Sequence, residues 1–152
     1  MARIDKFRAF VASYQEACKH GDLGMASEET IRTWINQMLA VFGWDVKNTN
    51  HVLQEVSLES AARATLNEIA STNTRPDYTL MNGRIRLFFL DAKRRTVNIR
   101  DDRSVSFQIR SYGWSIGASY SVVTNMDELA IYDCTAMPRH TDNADFARTV
   151  YL

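Results

Sequence analysis

The chain has 152 residues, 45% of them hydrophobic and 24% charged, with 18 Lys plus Arg against 18 Asp plus Glu. That composition suits one globular domain and excludes a low-complexity, collagen-like or membrane-embedded chain. A chain of this length buries roughly 70% of the surface its unfolded form exposes, so its core needs no disulfide staples.

Cys18 and Cys134 have no zinc-like spacing, and both read as reduced thiols in or near the core. No run approaches the ~18 apolar residues of a membrane span, and the first residues lead into an amphipathic pattern rather than a signal-peptide core. A cytoplasmic protein with no membrane partner is therefore expected. Charge is uneven along the chain: residues 75–110 hold nine basic and four acidic side chains, a local excess of +5 that the remainder cancels. Such a segment can meet phosphates or can simply be a solvated face.

Ile4, Phe7, Val11, Tyr14 and Cys18 recur at steps of three and four, which predicts a packing helix that Gly21 and Gly24 end. Ser27 is placed to cap a second helix, whose apolar stripe runs through Ile31, Trp34, Ile35, Met38, Leu39 and Phe42 to a stop at Gly43. Residues 44–58 read as extended but irregular, and 59–70 as a short helix. A strand at 78–81 is followed by Asn82-Gly83, a pair that favours a two-residue hairpin turn, and by the run 84–92, apolar on both faces and so central in a sheet. After a polar loop at 96–103, Val105, Gln108, Ile109, Tyr112 and Ile116 mark a helix closed by Gly117. Two strands follow, at 120–124 and 129–133, around a polar turn near Asn125-Met126-Asp127. This order predicts an α/β fold, a mixed central sheet flanked by helices, with no internal repeat.

Chemistry concentrates at Arg75-Pro76-Asp77-Tyr78 and Leu90-Asp91-Ala92-Lys93. Alternation along a strand puts Asp91 and Lys93 on one side, and hairpin pairing lets Asp77 face Asp91. Two such carboxylates repel unless a proton or divalent cation lies between them. Magnesium would leave positions for water and a phosphate oxygen, while Lys93 could serve the attacking water. Taken singly, Asp77 could be a turn cap and Asp91–Lys93 a strand-end ion pair.

Glu28 projects from the apolar stripe of the second helix, where a carboxylate needs a partner, and Arg32 is one turn away. Gln108 and Tyr112, also one turn apart, can be satisfied core-edge groups or neutral donors to phosphate. Arg84, Arg86, Arg94, Arg95 and Arg100 are candidate phosphate contacts. His20, His51 and His140 are too scattered for a triad or zinc site, and no glycine-rich phosphate loop is present.

Pro76-Asp77 with Asp91-Ala92-Lys93 resembles the motif of the PD-(D/E)xK nuclease superfamily. Within it the chain resembles the N-terminal nuclease domains of type I restriction subunits and of fused type II restriction-modification enzymes. Glu28 ahead of Gly43-Trp44-Asp45, Gln108 to Tyr112, and Val123-Thr124-Asn125 with Ile131-Tyr132 extend the resemblance over residues 27–132. It implies a restriction-endonuclease-like fold with an extra N-terminal helix and linker (1–26), a nuclease core (27–134) and a C-terminal extension (135–152) towards a downstream methyltransferase, specificity or motor domain. It further implies Mg²⁺, with Mn²⁺ as substitute, held by Asp77, Asp91 and the carbonyl of Ala92. Lys93 would act on the water, and Glu28, Gln108 and Tyr112 would support the site. The family more often has glutamate where this chain has Asp91. The expected partners are double-stranded DNA and a second nuclease copy for double-strand cleavage. The rival expectation is a non-catalytic nucleic-acid-binding module on the same fold.

Overall fold

The computed structural model describes residues 2–21, 23–69 and 71–152. Two helices open the chain, α1 (Arg3–Lys19) and α2 (Glu28–Val41), followed by β1 (Val52–Gln54), α3 (Ser60–Glu68), β2 (Tyr78–Asn82) and β3 (Ile85–Ala92). A long helix, α4 (Arg103–Ile116), leads to β4 (Tyr120–Thr124), β5 (Leu129–Asp133) and β6 (Arg148–Tyr151). The six strands form one sheet in sequence order. Every neighbouring pair is antiparallel except β3 and β4, which run parallel because α4 carries the chain from the end of one to the start of the other. The sheet is thus mixed and lies between helices, the α/β arrangement that the order of elements implied, and it is consistent with the restriction-endonuclease-like fold that the resemblance implied.

Each face of the sheet has its own core. Ile31, Ile35 and Leu39 of α2 pack on Val52, Tyr78, Leu80, Leu90 and Ala92. On the other face, Ala62 and Leu66 of α3 and Val105, Ile109 and Tyr112 of α4 pack on Phe89, Val123, Ala130 and Tyr132. Alternation along β3 explains the division, since Phe89 serves one face and Leu90 and Ala92 the other. The strand is buried on both sides only over its second half; Ile85 and Leu87 are exposed. The N-terminal helix packs on α2 through an aromatic cluster in which Phe7 meets Phe42 and Tyr14 meets Trp34 edge-on. Tyr14 also donates to Asp127 at 2.9 Å, tying α1 to the β4–β5 turn.

Helix limits follow local chemistry. Ser27 Oγ accepts from Thr30 N at the start of α2, Asp102 accepts from Ser104 N and Val105 N at the start of α4, and Gly117 ends α4 with a φ of 70°. Three details differ from the sequence expectation. The hairpin turn is Gly83-Arg84, one residue later than Asn82-Gly83, because Asn82 pairs with Ile85. Residues 52–54 form a strand inside the stretch that reads as irregular, and residues 148–151 form a sixth strand inside the expected extension. These strands are three and four residues long, too short for a period to register. The expected end of the third helix at Ala70 lies outside the described residues. Among those residues no helix is long and apolar enough to cross a membrane. Both cysteines are free thiols; Cys134 is buried, which pushes its thiol up to about 11.

Candidate active site

The register of β2 on β3 pairs Tyr78 with Leu90, so one step further the chain sets Asp77 against Asp91. The side chains meet there. Ala92 N donates to Asp77 Oδ2 at 2.7 Å, and Asp77 N lies 3.4 Å from Asp91 Oδ1. Both aspartates are buried, at 8% and 3% exposure. Burial first, and the Asp91 carboxylate second, push the Asp77 acid up to about 7, while the Ala92 N–H and Arg32 pull the other way. Desolvation disfavours a charge and a like charge beside it compounds the effect.

Lys93 follows at the mouth of the sheet. Its backbone N–H is held by Thr124 O at 2.9 Å, and its Nζ sits 2.8 Å from Asp91 Oδ2 and 3.1 Å from Gln108 Oε1. Gln108 spends its other end on Tyr112, with Nε2 donating to the phenol oxygen at 3.1 Å. A chain of contacts therefore runs from Asp91 through Lys93 and Gln108 to Tyr112. The Tyr112 ring is buried edge-on against Phe89, and burial holds its phenol well above the usual range, so it stays protonated. It fixes Gln108 from behind rather than facing solvent.

The α2 side of the site belongs to Arg32. Its Nη2 contacts Asp77 Oδ1 and lies 3.3 Å from Glu28 Oε1, while its Nη1 is 2.9 Å from Glu55 Oε1. Glu28 thus reaches the aspartate pair only through Arg32. Tyr78 steadies this corner, donating to Asn36 Oδ1 at 2.8 Å and to Arg32 O at 3.1 Å. Sequence reading treats Arg32 only as a partner of Glu28 and does not single out Glu55. The Glu28/Arg32 spacing was a visible clue to the first, whereas Glu55 lies just past a three-residue strand with no pattern to mark it.

The five candidate phosphate contacts divide. Arg86 is engaged by Glu59 and Arg95 by Asp127, each at 2.6 Å, and Arg100 stacks over the Tyr151 ring at 4.4 Å. Arg84 and Arg94 are exposed and make no ion pair among the described residues. Arg110, part of the basic excess, is not available to a partner: it is 1% exposed, bonded to Ser106 Oγ and paired with Asp142 at 2.9 Å. A recess of about 180 Å³ adjoins Gln108, lined by Ser71, Thr72, Asn73, Ser104, Phe107 and His140.

The chain is similar to a restriction enzyme. It is 31% identical over 151 residues, 95% of its length, to the type II restriction enzyme and methyltransferase RM.Eco57I of Escherichia coli, and it spans 14% of that protein's length. No family model matches the chain. No solved structure matches it either.

Proposed function

We propose that this chain is the Mg²⁺-dependent DNA endonuclease module of a larger restriction-modification enzyme, with Asp77, Asp91 and the Ala92 carbonyl as metal ligands and Lys93 as the catalytic amine. The observation that carries the reading is the meeting of Asp77, Asp91 and Lys93 at one end of the β2–β3 pair, with Gln108 bonded to the amine. Similarity to a protein named as both restriction enzyme and methyltransferase supports the same reading.

The donor set suits a hard divalent cation. Among the described residues, Asp77, Asp91, Glu28 and Glu55 form ion pairs with Arg32 and Lys93 alone, a formal surplus of two negative charges in one corner. No group of three or more His, Cys, Asp or Glu side chains is gathered for a metal among the described residues. Mg²⁺ does not need one, since it is commonly held by one or two carboxylates and keeps several waters. When bound, it would supply Lewis-acid polarisation of a phosphoryl oxygen and a more acidic water.

The chain's own residues do the remaining work. Lys93 has three N–H donors, two of them engaged by Asp91 and Gln108, which leaves the third for the attacking water or a phosphate oxygen. Gln108 cannot swing away without breaking bonds at both ends. Arg84 and Arg94 are the exposed cations from which phosphate contacts are best expected, and DNA is the corresponding substrate. One site cuts one strand, so double-strand cleavage requires a second copy on DNA or a second nick. We place sequence choice and modification in further domains of the same polypeptide or complex, residues 27–134 being the nuclease core and the cell cytoplasm its setting.

Plasmid cleavage with Mg²⁺ or Mn²⁺ tests this. The parent chain should nick DNA, with Lys93→Ala and Asp77→Ala reduced by at least 10². Equal trace nicking by all three proteins overturns it in favour of a non-catalytic nucleic-acid-binding module.

A further inference from the structure

The Arg32 guanidinium stands where charge neutralisation of Asp77 is needed. Its side chain is 18% exposed, it reaches three carboxylates, and its Nε–H is buried with no partner. A buried donor left unmade is costly, so the guanidinium is not held at its best possible set of bonds. Glu55 lies on the far side of it. That residue has a φ of 52°, in the left-handed region that non-glycine residues seldom adopt, and its backbone N–H donates to Asp77 O at 2.9 Å. Glu55 and Asp77 are therefore joined backbone to backbone while their carboxylates share one cation. A strained residue fixed beside a reactive group is a recurrent mark of a working part.

We propose that Arg32 is a placeholder for the divalent cation: it neutralises Asp77 in the metal-free protein and, when a metal ion takes Asp77, lets that carboxylate go and stays with Glu55, to which it is already paired. Arg32 is a positioning residue here, and the inference rests on Asp77 being a metal ligand. The two carboxylates differ in a way that suits an exchange. Asp77 has a side chain 10% exposed and one carboxylate oxygen already held by the Ala92 N–H, so it is fixed, whereas the Glu55 side chain is 50% exposed and has the longer reach. A guanidinium that lets go of Asp77 stays paired with Glu55, 2.9 Å from its Nη1, so opening the site leaves no buried charge alone.

The test is calorimetric titration of the 152-residue chain with MnCl₂, without DNA, so that no cleavage is measured. Arg32→Met removes the competitor and should tighten Mn²⁺ binding about tenfold, equivalent to about 1.4 kcal/mol. Glu55→Gln removes the parking carboxylate and should weaken binding about three- to tenfold. In the Arg32→Met background the Glu55→Gln effect should vanish, because Glu55 acts only through Arg32. A general charge effect would leave it intact.

If Arg32→Met fails to fold, Arg32→Lys keeps the charge but loses the planar fork that spans both carboxylates, and should likewise tighten binding and blunt the effect of Glu55→Gln. Unchanged or weaker binding by the Arg32 variants, or an undiminished Glu55→Gln effect in the double variant, overturns the placeholder alone. A parent chain that takes up no Mn²⁺ at millimolar concentration overturns the metal reading of Asp77 and the placeholder with it.

Discussion

Asp77 makes the stability of the metal-free protein depend on pH in an unusual direction. Its acid is raised from 3.8 to about 7 by burial and by Asp91. Below pH ~4 the group is protonated in both the folded and unfolded chains and exerts no effect. Between ~4 and ~7 the folded chain holds a proton that the unfolded chain has released, so stability falls as pH rises; above ~7 both are ionised and the penalty is complete. At about 1.4 kcal/mol per pKa unit, a rise from 3.8 to about 7 corresponds to a loss on the order of 4 kcal/mol, a large share of the stability of a domain of this size. Urea denaturation in EDTA at pH 5, 6, 7 and 8 measures it directly. The Asp77→Asn variant should lack most of the decline, and the difference between the two curves removes the contribution of the three histidines. Saturating Mg²⁺ should restore the parent's stability at pH 8 by mass action. Parallel curves for the parent and Asp77→Asn would refute the reasoning.

Other expectations follow from single contacts. Gly113→Ala would place a Cβ 2.4 Å from Cys134 Sγ and 2.8 Å from Ser121 Oγ, so it should destabilise by about 1–3 kcal/mol in thermal or urea melts despite the better helix propensity. Tyr112→Phe removes the acceptor that holds Gln108 Nε2 and should lower kcat several-fold while costing the fold only about 1 kcal/mol, a split that paired kinetics and melting would show. Arg84→Gln and Arg94→Gln should each weaken DNA binding and reduce the slope of log affinity against log salt by about 1 in anisotropy titrations. The same change at Arg86 or Arg95, which are held by Glu59 and Asp127, should do less.

Long periodic elements were legible in the sequence. The α2 stripe from Ile31 to Leu39 and the α4 stripe through Val105, Ile109 and Tyr112 both face the cores that their spacing implies. Short strands were not, because three or four residues cannot establish a period, and β1 and β6 gain their order by pairing with β2 and β5. The proximity of Asp77, Asp91 and Lys93 could be inferred because a hairpin turns sequence spacing into register, and a one-residue error in the turn still left Asp77 at the strand's start. Nothing comparable announces Glu55, whose place beside Arg32 is a tertiary outcome. The five arginines show the opposite limit: sequence gives their charge, but only coordinates show which already have an acidic neighbour.

The lone parallel seam in the sheet also ties the setting of the amine to the docking of the two halves. Strands β1 to β3 and β4 to β6 are the two antiparallel halves of the sheet, the first with α3 between β1 and β2, and joining them brings Phe89–Ala92 against Ser121–Thr124 across the whole of α4. Closing such a crossover costs loop entropy that the new contacts must repay. Lys93 is hydrogen-bonded to Thr124 and Gln108 rides on the connecting helix, so the amine acquires its final setting only when the two halves dock. Of the three partners of Lys93, only Asp91 belongs to its own half of the sheet.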